Sequence, residues 1–193
     1  MGGLKEFQKK VIANAGGARG LPAGSAAPDF ILPDADKQQV SLSGCLKRGP
    51  VVLKFYRGSW CPICNRDLRS LQDILPQIKS LGASLLAVSP QNPDMAMDAK
   101  EKNSLEFRVL SDANQEVIRK YNLQFDPGED YLKRRDLRLL NGDGSIFLPV
   151  PATFVIDRQA VIRAAHIDPN YTLRMKPEAI LAALSDILEN PGG

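Results

Sequence analysis

Phe55-Tyr56-Arg57-Gly58-Ser59-Trp60-Cys61-Pro62-Ile63-Cys64-Asn65-Arg66-Asp67-Leu68 is the stretch on which the fold assignment turns, because two textures meet in it. Upstream, Val51 to Tyr56 has the β-branched and aromatic content of a buried strand. Downstream, Leu68, Leu71, Ile74, Leu75, Ile78 and Leu81 recur at spacings of three and four, which predicts one helix with one apolar face. Pro76 lies inside that pattern and should bend the helix, and Gly82 supplies its stop. The pair Cys61 and Cys64 therefore stands where a buried strand hands over to a long helix.

Working outward, strand and helix alternate. Ala83 to Ser89 reads as a strand, Ala96 to Asn103 as a polar helix and Phe107 to Leu110 as a short strand. A helix follows from Gln115 to Tyr121. Strands at Thr153–Asp157 and Val161–Ile167 flank a turn at Arg158-Gln159, and Ile180, Leu181, Leu184, Ile187 and Leu188 mark a last helix with Pro177 in its first turn. This order predicts an α/β fold, a central mixed sheet with helices on both faces. Residues 1–27, mildly amphipathic and then rich in Ala and Gly, read as an N-terminal arm or linker. Residues 28–190 read as one domain, with an insertion around 124–148 where the periodicity fails.

The chain of 193 residues carries a net charge of +3, and 44% of it is hydrophobic. That is about one domain's length, enough for a core without disulfide staples. No apolar run approaches the roughly 18 residues of a membrane span, and the weak basicity does not call for nucleic acid. The basic run Lys133-Arg134-Arg135 is interrupted by Asp136 and lacks interleaved aromatics for base stacking, so it reads as a solvated or partner-facing helix. Nor is there a glycine-rich phosphate loop; no cofactor is expected. The N-terminus lacks a secretory pattern, and a reducing cytoplasm is the expected compartment. There, a close cysteine pair is catalytic or metal-binding more often than structural.

A strand-to-helix junction suits thiol chemistry, because unpaired N–H groups and the positive helix end favour a thiolate. Two thiols one turn apart can close a small disulfide, so a mixed disulfide at one is resolved by the other. A structural zinc site would need four ligands, and beyond the pair only Cys45 and His166 are on offer, with no second close pair. Redox chemistry without a metal is the expectation.

From Ala27 to about Leu188 the chain resembles the alkyl hydroperoxide reductase / thiol-specific antioxidant branch of the peroxiredoxins. The stretches that carry the resemblance are APDFILPDADKQQVSL, VVLKFYRGSWCPIC, FRVLSDANQEVIRKYNL and PATFVIDRQAVIRAAHID. The resemblance implies a thioredoxin-like fold and reduction of peroxides by a cysteine thiolate, with a thioredoxin or glutathione-type reductant. It leaves a homodimer open. Departures are equally informative. Where the family has Pro-x-x-x-Thr-x-x-Cys, this chain has Arg57, Cys61 and Cys64 in place of the proline, threonine and cysteine. Pro151 replaces an arginine before the strand Thr153–Asp157, where thioredoxins have a proline, usually with a cis peptide bond.

The site thus looks like a hybrid, and two frames stay open. In the peroxiredoxin frame, which is favoured, Cys64 attacks peroxide and Cys61 resolves; in the thioredoxin frame the roles reverse. Protein disulfide reduction and a redox-sensing binding module are the alternative functions. Arg57 is a candidate to stabilise thiolate or orient peroxide, against the plainer reading of a solvent-facing arginine. Trp60 is a candidate to shield the thiols, against an ordinary rim aromatic, and Arg174 is a candidate as the second arginine many peroxiredoxins carry before the last helix, against the simpler reading of a surface salt bridge. His166 reads as a hydrogen-bonded core or rim histidine, and Cys45 as a bystander in a turn before a strand.

Overall fold

The structure, a computed structural model, describes residues 2–190. The chain opens with α1 (Gly2–Ala15), followed by an extended segment and a small hairpin, β1 (Ile31–Pro33) and β2 (Gln39–Ser41). Next comes α2 (Leu42–Leu46), capped by the Ser41 hydroxyl, which accepts from the Gly44 amide. Cys45 therefore sits in a helix and not in a turn before a strand.

The central sheet has strand order β5-β4-β3-β8-β9. Its middle strand β3 (Val51–Phe55) pairs in parallel with β4 (Ser84–Ser89), which pairs in parallel with β5 (Arg108–Ser111). On its other side β3 runs antiparallel to β8 (Ala152–Ile156), itself antiparallel to β9 (Ile162–Ile167). The expected mixed sheet is present, and the side chains alternate across it. Leu53, Phe55, Leu86, Val88 and Phe154 enter one core, under α1, α2 and α6 (Glu116–Lys120). Val52, Leu85, Ala87 and Val155 enter the other. There they meet Leu68 and Leu71 of α3 (Pro62–Asp73), Ile78 of α4 (Leu75–Ser80), Ala96 and Ala99 of α5 (Pro93–Lys102), and the last helix.

The predicted single helix from the cysteine pair to Leu81 is two helices. Pro76 lies in the first turn of α4 and has no N–H to give to the turn before it, so α3 ends at Asp73 with Ile74 between them. The apolar stripe is nonetheless continuous, since Leu68, Leu71, Leu75 and Ile78 are all buried against the same face of the sheet.

Residues 124–148 are ordered as β6 (Gln124–Phe125), α7 (Glu129–Leu132), a 3-10 turn at Leu137–Leu139, and the start of β7 (Leu148–Pro149), which pairs with β6. Tyr131 and Leu137 anchor this stretch in the core. The N-terminal helix docks on it: Lys10 pairs with Asp130 at 2.9 Å and the Asn14 side-chain amide donates to the Pro127 carbonyl. The Val150–Pro151 bond is trans, against the expectation of a cis proline. In this arrangement the Val150 amide donates to the Leu123 carbonyl and the chain passes directly from β7 into β8. A final helix, α8 (Pro177–Glu189), begins at Pro177 as expected and buries Ile180, Leu184 and Ile187. Among the described residues, no helix is long and apolar enough to cross a membrane.

The first core is keyed by three rings. Phe154 meets Phe55 edge-on at 5.9 Å and Tyr121 at 5.3 Å. Truncating Phe154 to Ala should therefore lower the unfolding free energy by about 3–5 kcal/mol, measured by equilibrium denaturation.

Candidate active site

Cys61 is the N-cap of α3. Its backbone is extended (φ −93°, ψ 110°), and its sulfur accepts from the Cys64 amide at 3.3 Å. Pro62 follows in the first turn, where its missing N–H costs nothing. The preceding loop is shaped by Gly58, at φ +145°; a Cβ there would meet the Trp60 ring nitrogen at 2.5 Å and the Gln91 side chain at 2.9 Å. That loop also brings Arg57 back over the cysteine, so that the guanidinium donates to the Cys61 sulfur at 3.4 Å. Arg57 is buried, not solvent-facing, and lies over the Tyr171 ring at 4.2 Å.

The two thiols meet opposite environments. Hydrogen bonding from the Cys64 thiol, the charge of Arg57 and the Cys64 amide together hold the Cys61 thiol well below its ordinary range, against the cost of burial. Burial pushes the Cys64 thiol well above it, and its hydrogen bond to Cys61 adds to the effect. These surroundings favour the charge on Cys61 and the proton on Cys64. Of the two frames left open, in which Cys64 or Cys61 attacks, this setting favours the one with Cys61 as the attacking sulfur.

Beneath Cys64 lies a second charged group. Lys54 points from β3 into the same layer as the cysteines, and its strand partner Thr153 accepts from its ammonium at 3.1 Å. Asp67 of α3 takes the same ammonium at 2.7 Å and the Arg174 guanidinium at 2.7 Å. Lys54 and Asp67 are 1% and 7% exposed, so this is a buried bridge with satisfied partners. Burial draws the Lys54 ammonium down from the ordinary lysine range, opposed by Asp67. Arg174 also reaches the Cys64 sulfur, at 3.9 Å. Sequence reasoning named Arg174 but missed Lys54 and Asp67. The signal was present: Lys54 is the one charge inside an otherwise apolar strand.

A cavity of about 240 Å³ opens beside the pair, and Cys61, not Cys64, is among its lining residues. Trp60 forms one wall as expected, joined by Tyr131 and Tyr171 and by Phe7 from the N-terminal helix. Arg134 and Arg135 also line it: the basic run read as a solvated or partner-facing helix is exposed as expected, but it forms a turn after α7 and borders the site. Pro151 does not line this cavity. Cys45 is buried in the core on the opposite face of the sheet, its sulfur accepting from Arg48 at 3.3 Å. His166 is half-buried on β9 opposite Thr153, and its Nε2 has no protein partner.

Two outcomes follow from these contacts. Replacing Arg57 with Met should raise the Cys61 titration toward that of a free thiol, read from thiolate absorbance or the pH dependence of alkylation. In the reduced wild type, the stability contributed by the charged form is present above the unfolded thiol's pKa and is lost as pH falls through the depressed folded value. Replacing Asp67 with Asn should cost about 3–5 kcal/mol, because Lys54 would be left as a buried charge without a carboxylate and Arg174 would lose its ion pair; denaturant titration measures it.

Comparison with known proteins agrees with this architecture. The thiol-disulfide oxidoreductase ResA of Geobacillus kaustophilus is 28% identical over 144 residues, 74% of this chain and 68% of that protein. Peroxiredoxin Q of Oryza sativa subsp. japonica, a chloroplast protein, is 29% identical over 167 residues, 86% of this chain and 66% of that one. The Escherichia coli K12 peroxiredoxin Bcp is 32% identical over 103 residues, covering 53% and 65%. The chain thus spans about two thirds of the length of these relatives. Among solved structures, peroxidoxin BcpB from Mycobacterium tuberculosis shares the fold with a TM-score of 0.70 at 23% identity, over 86% of this chain and 98% of that one. Residues 23–165 match the AhpC/TSA family, and with three quarters of its length inside that match the chain belongs to the AhpC/TSA family, on a thioredoxin-like fold.

Proposed function

We propose that the protein is a thiol-dependent peroxidase in which the Cys61 thiolate attacks hydrogen peroxide or an organic hydroperoxide and Cys64 resolves the product. The observation that carries this reading is the setting of the Cys61 sulfur. It accepts from Arg57 and from the Cys64 amide, contacts that favour its thiolate, yet the residue is only 1% exposed and borders a cavity of about 240 Å³. A small peroxide fits such an approach, whereas a folded protein disulfide needs a sulfur that protrudes.

The thiolate displaces alkoxide or hydroxide from the peroxide, forming an S–O bond as the O–O bond breaks. Sulfur is oxidised to the sulfenic acid and the leaving oxygen takes up a proton. Arg57, already donating to the sulfur, is the group able to stabilise charge on that oxygen as it develops. Cys64 then attacks the Cys61 sulfur, giving up its thiol proton and expelling the hydroxyl as water. Buried and held as a thiol, Cys64 does not compete for peroxide in the first step. An external dithiol of the thioredoxin type, or two glutathione-type thiols acting through a mixed disulfide, reduces the Cys61–Cys64 disulfide and is itself oxidised to a disulfide, completing the two-electron cycle.

A second reading, thiol-disulfide oxidoreductase, draws on the CxxC with its more acidic first cysteine and on the likeness to ResA. The same preparation separates the two readings. Rapid peroxide consumption with a thioredoxin system and little insulin reduction supports the peroxidase, and the reverse pattern overturns it. Within the peroxidase, Cys61→Ser should abolish peroxide turnover. Cys64→Ser should leave a sulfenic acid on Cys61 that a dimedone probe traps; a sulfenic acid trapped only on Cys64 in the Cys61→Ser protein reverses the roles.

A further inference from the structure

The cavity over Cys61 contains more than a small neutral peroxide would use. Its walls are aromatic, from Phe7, Trp60, Tyr131 and Tyr171, and three arginines line it: Arg57, engaged with the Cys61 sulfur, and Arg134 and Arg135, which are not. Both side chains are exposed and both lie against rings: Arg134 over Phe7 at 4.3 Å and Arg135 over Trp60 at 4.6 Å. A guanidinium stacked on a ring keeps its edge N–H groups free for a carboxylate.

Neither arginine has a carboxylate at ion-pair distance among the described residues, because the nearby acids are taken by other cations. Asp130 holds Lys10 at 2.9 Å and Lys133 at 3.9 Å, and Asp136 faces Arg138 at 3.5 Å. Glu6 borders a neighbouring depression together with Arg134, which leaves Arg135 the less opposed of the two. The volume is also sufficient. A cavity of about 150 Å³ suffices for benzene, so about 240 Å³ holds one ring or a short branched chain plus an acidic substituent.

We propose that this cavity is a specificity site for organic hydroperoxides that carry a carboxylate, with the apolar body between the aromatic walls, the carboxylate on Arg135 and Arg134, and the peroxide group directed at Cys61. The proposal rests on the peroxidase reading, and the chemistry is the same two-electron step, the carboxylate-bearing alcohol leaving as the sulfenic acid forms. It gives the insertion around 124–148 and the N-terminal helix a shared purpose, since Arg134, Arg135 and Tyr131 come from one and Phe7 from the other.

Two measurements on the full-length protein test it. The first is binding without turnover. Trp60 is the sole tryptophan, so its fluorescence reports the cavity wall directly. Cuminate, a ring with a carboxylate and no peroxide, should perturb it saturably, and cuminamide should bind about tenfold more weakly. In the Arg134→Gln/Arg135→Gln double variant that preference should vanish, and in Arg135→Lys, which retains the charge, most of it should persist. Equal binding of acid and amide, or no binding of either, overturns the site whether or not the protein reduces peroxides.

The second measurement is a single turnover of reduced protein with para-carboxy cumene hydroperoxide and its methyl ester. The ratio of their rate constants should favour the acid by about tenfold, shrink with added salt, and collapse in the double variant. A carboxylate preference seen only when the oxidised protein is reduced by mercaptopropionate rather than mercaptoethanol would assign the arginines to the reductant and overturn the substrate assignment. Failure of every peroxide to oxidise Cys61, with cuminate binding intact, would sink the peroxidase reading and leave a carboxylate site in place.

Discussion

One buried carboxylate ties the site to the sheet. Asp67, on α3, binds the ammonium of Lys54 from the middle strand and the guanidinium of Arg174 from the segment before the last helix. Three separate parts of the chain are thereby fixed under the cysteine pair by one side chain. Such an arrangement is a weak source of stability in itself, since desolvating three charges cancels much of their attraction. Its value is positional. With Asp67 fixed, the first turns of α3 cannot slide along the sheet, and the sulfur of Cys64 stays against Arg174.

That rigidity lets two cysteines at CxxC spacing differ so much. Cys61 caps the helix and receives N–H groups from Cys64 and Arg57, so its charged form is solvated by fixed dipoles. Cys64, one turn further in, is sealed between α3 and the sheet, and burial acts on it without equal compensation. The difference is one of position along a single helical turn. A proton placed on Cys64 and a charge on Cys61 is the division a nucleophile and a resolving thiol require.

Most of the fold was legible because its elements are periodic. The central strands and the last helix follow apolar patterns that burial enforces, and the helix faces matched them. Where prediction and structure differ, a local effect prevailed over the pattern. Pro76 breaks α3 from α4 although the apolar stripe runs on, because packing tolerates an interruption that backbone hydrogen bonding does not. Within the site, the cysteines, Arg57, Trp60 and Arg174 could be named from sequence. Lys54 and Asp67 could not be paired, because a strand residue and a helix residue meet only once the sheet defines which face each occupies. Phe7, Tyr131, Arg134 and Arg135 were illegible for a similar reason: they reach the site from non-periodic or distant segments.

On the proposed cycle, the cover over Cys61 constrains how the disulfide is reduced. Cys61 is almost fully covered, by groups including Trp60, Tyr131 and Tyr171, so a protein reductant cannot reach its sulfur in this arrangement. Reduction then demands either a thiol small enough to enter the cavity or movement of the cover. Tyr131 is buried in the core and stacked on Phe7 of α1, so the cover is anchored by more than its exposed ion pairs, and a small thiol is the donor this arrangement admits. Lys54 and Asp67 lie buried beneath it, with the largely buried Arg174 beside them, and hold the cysteine pair in place.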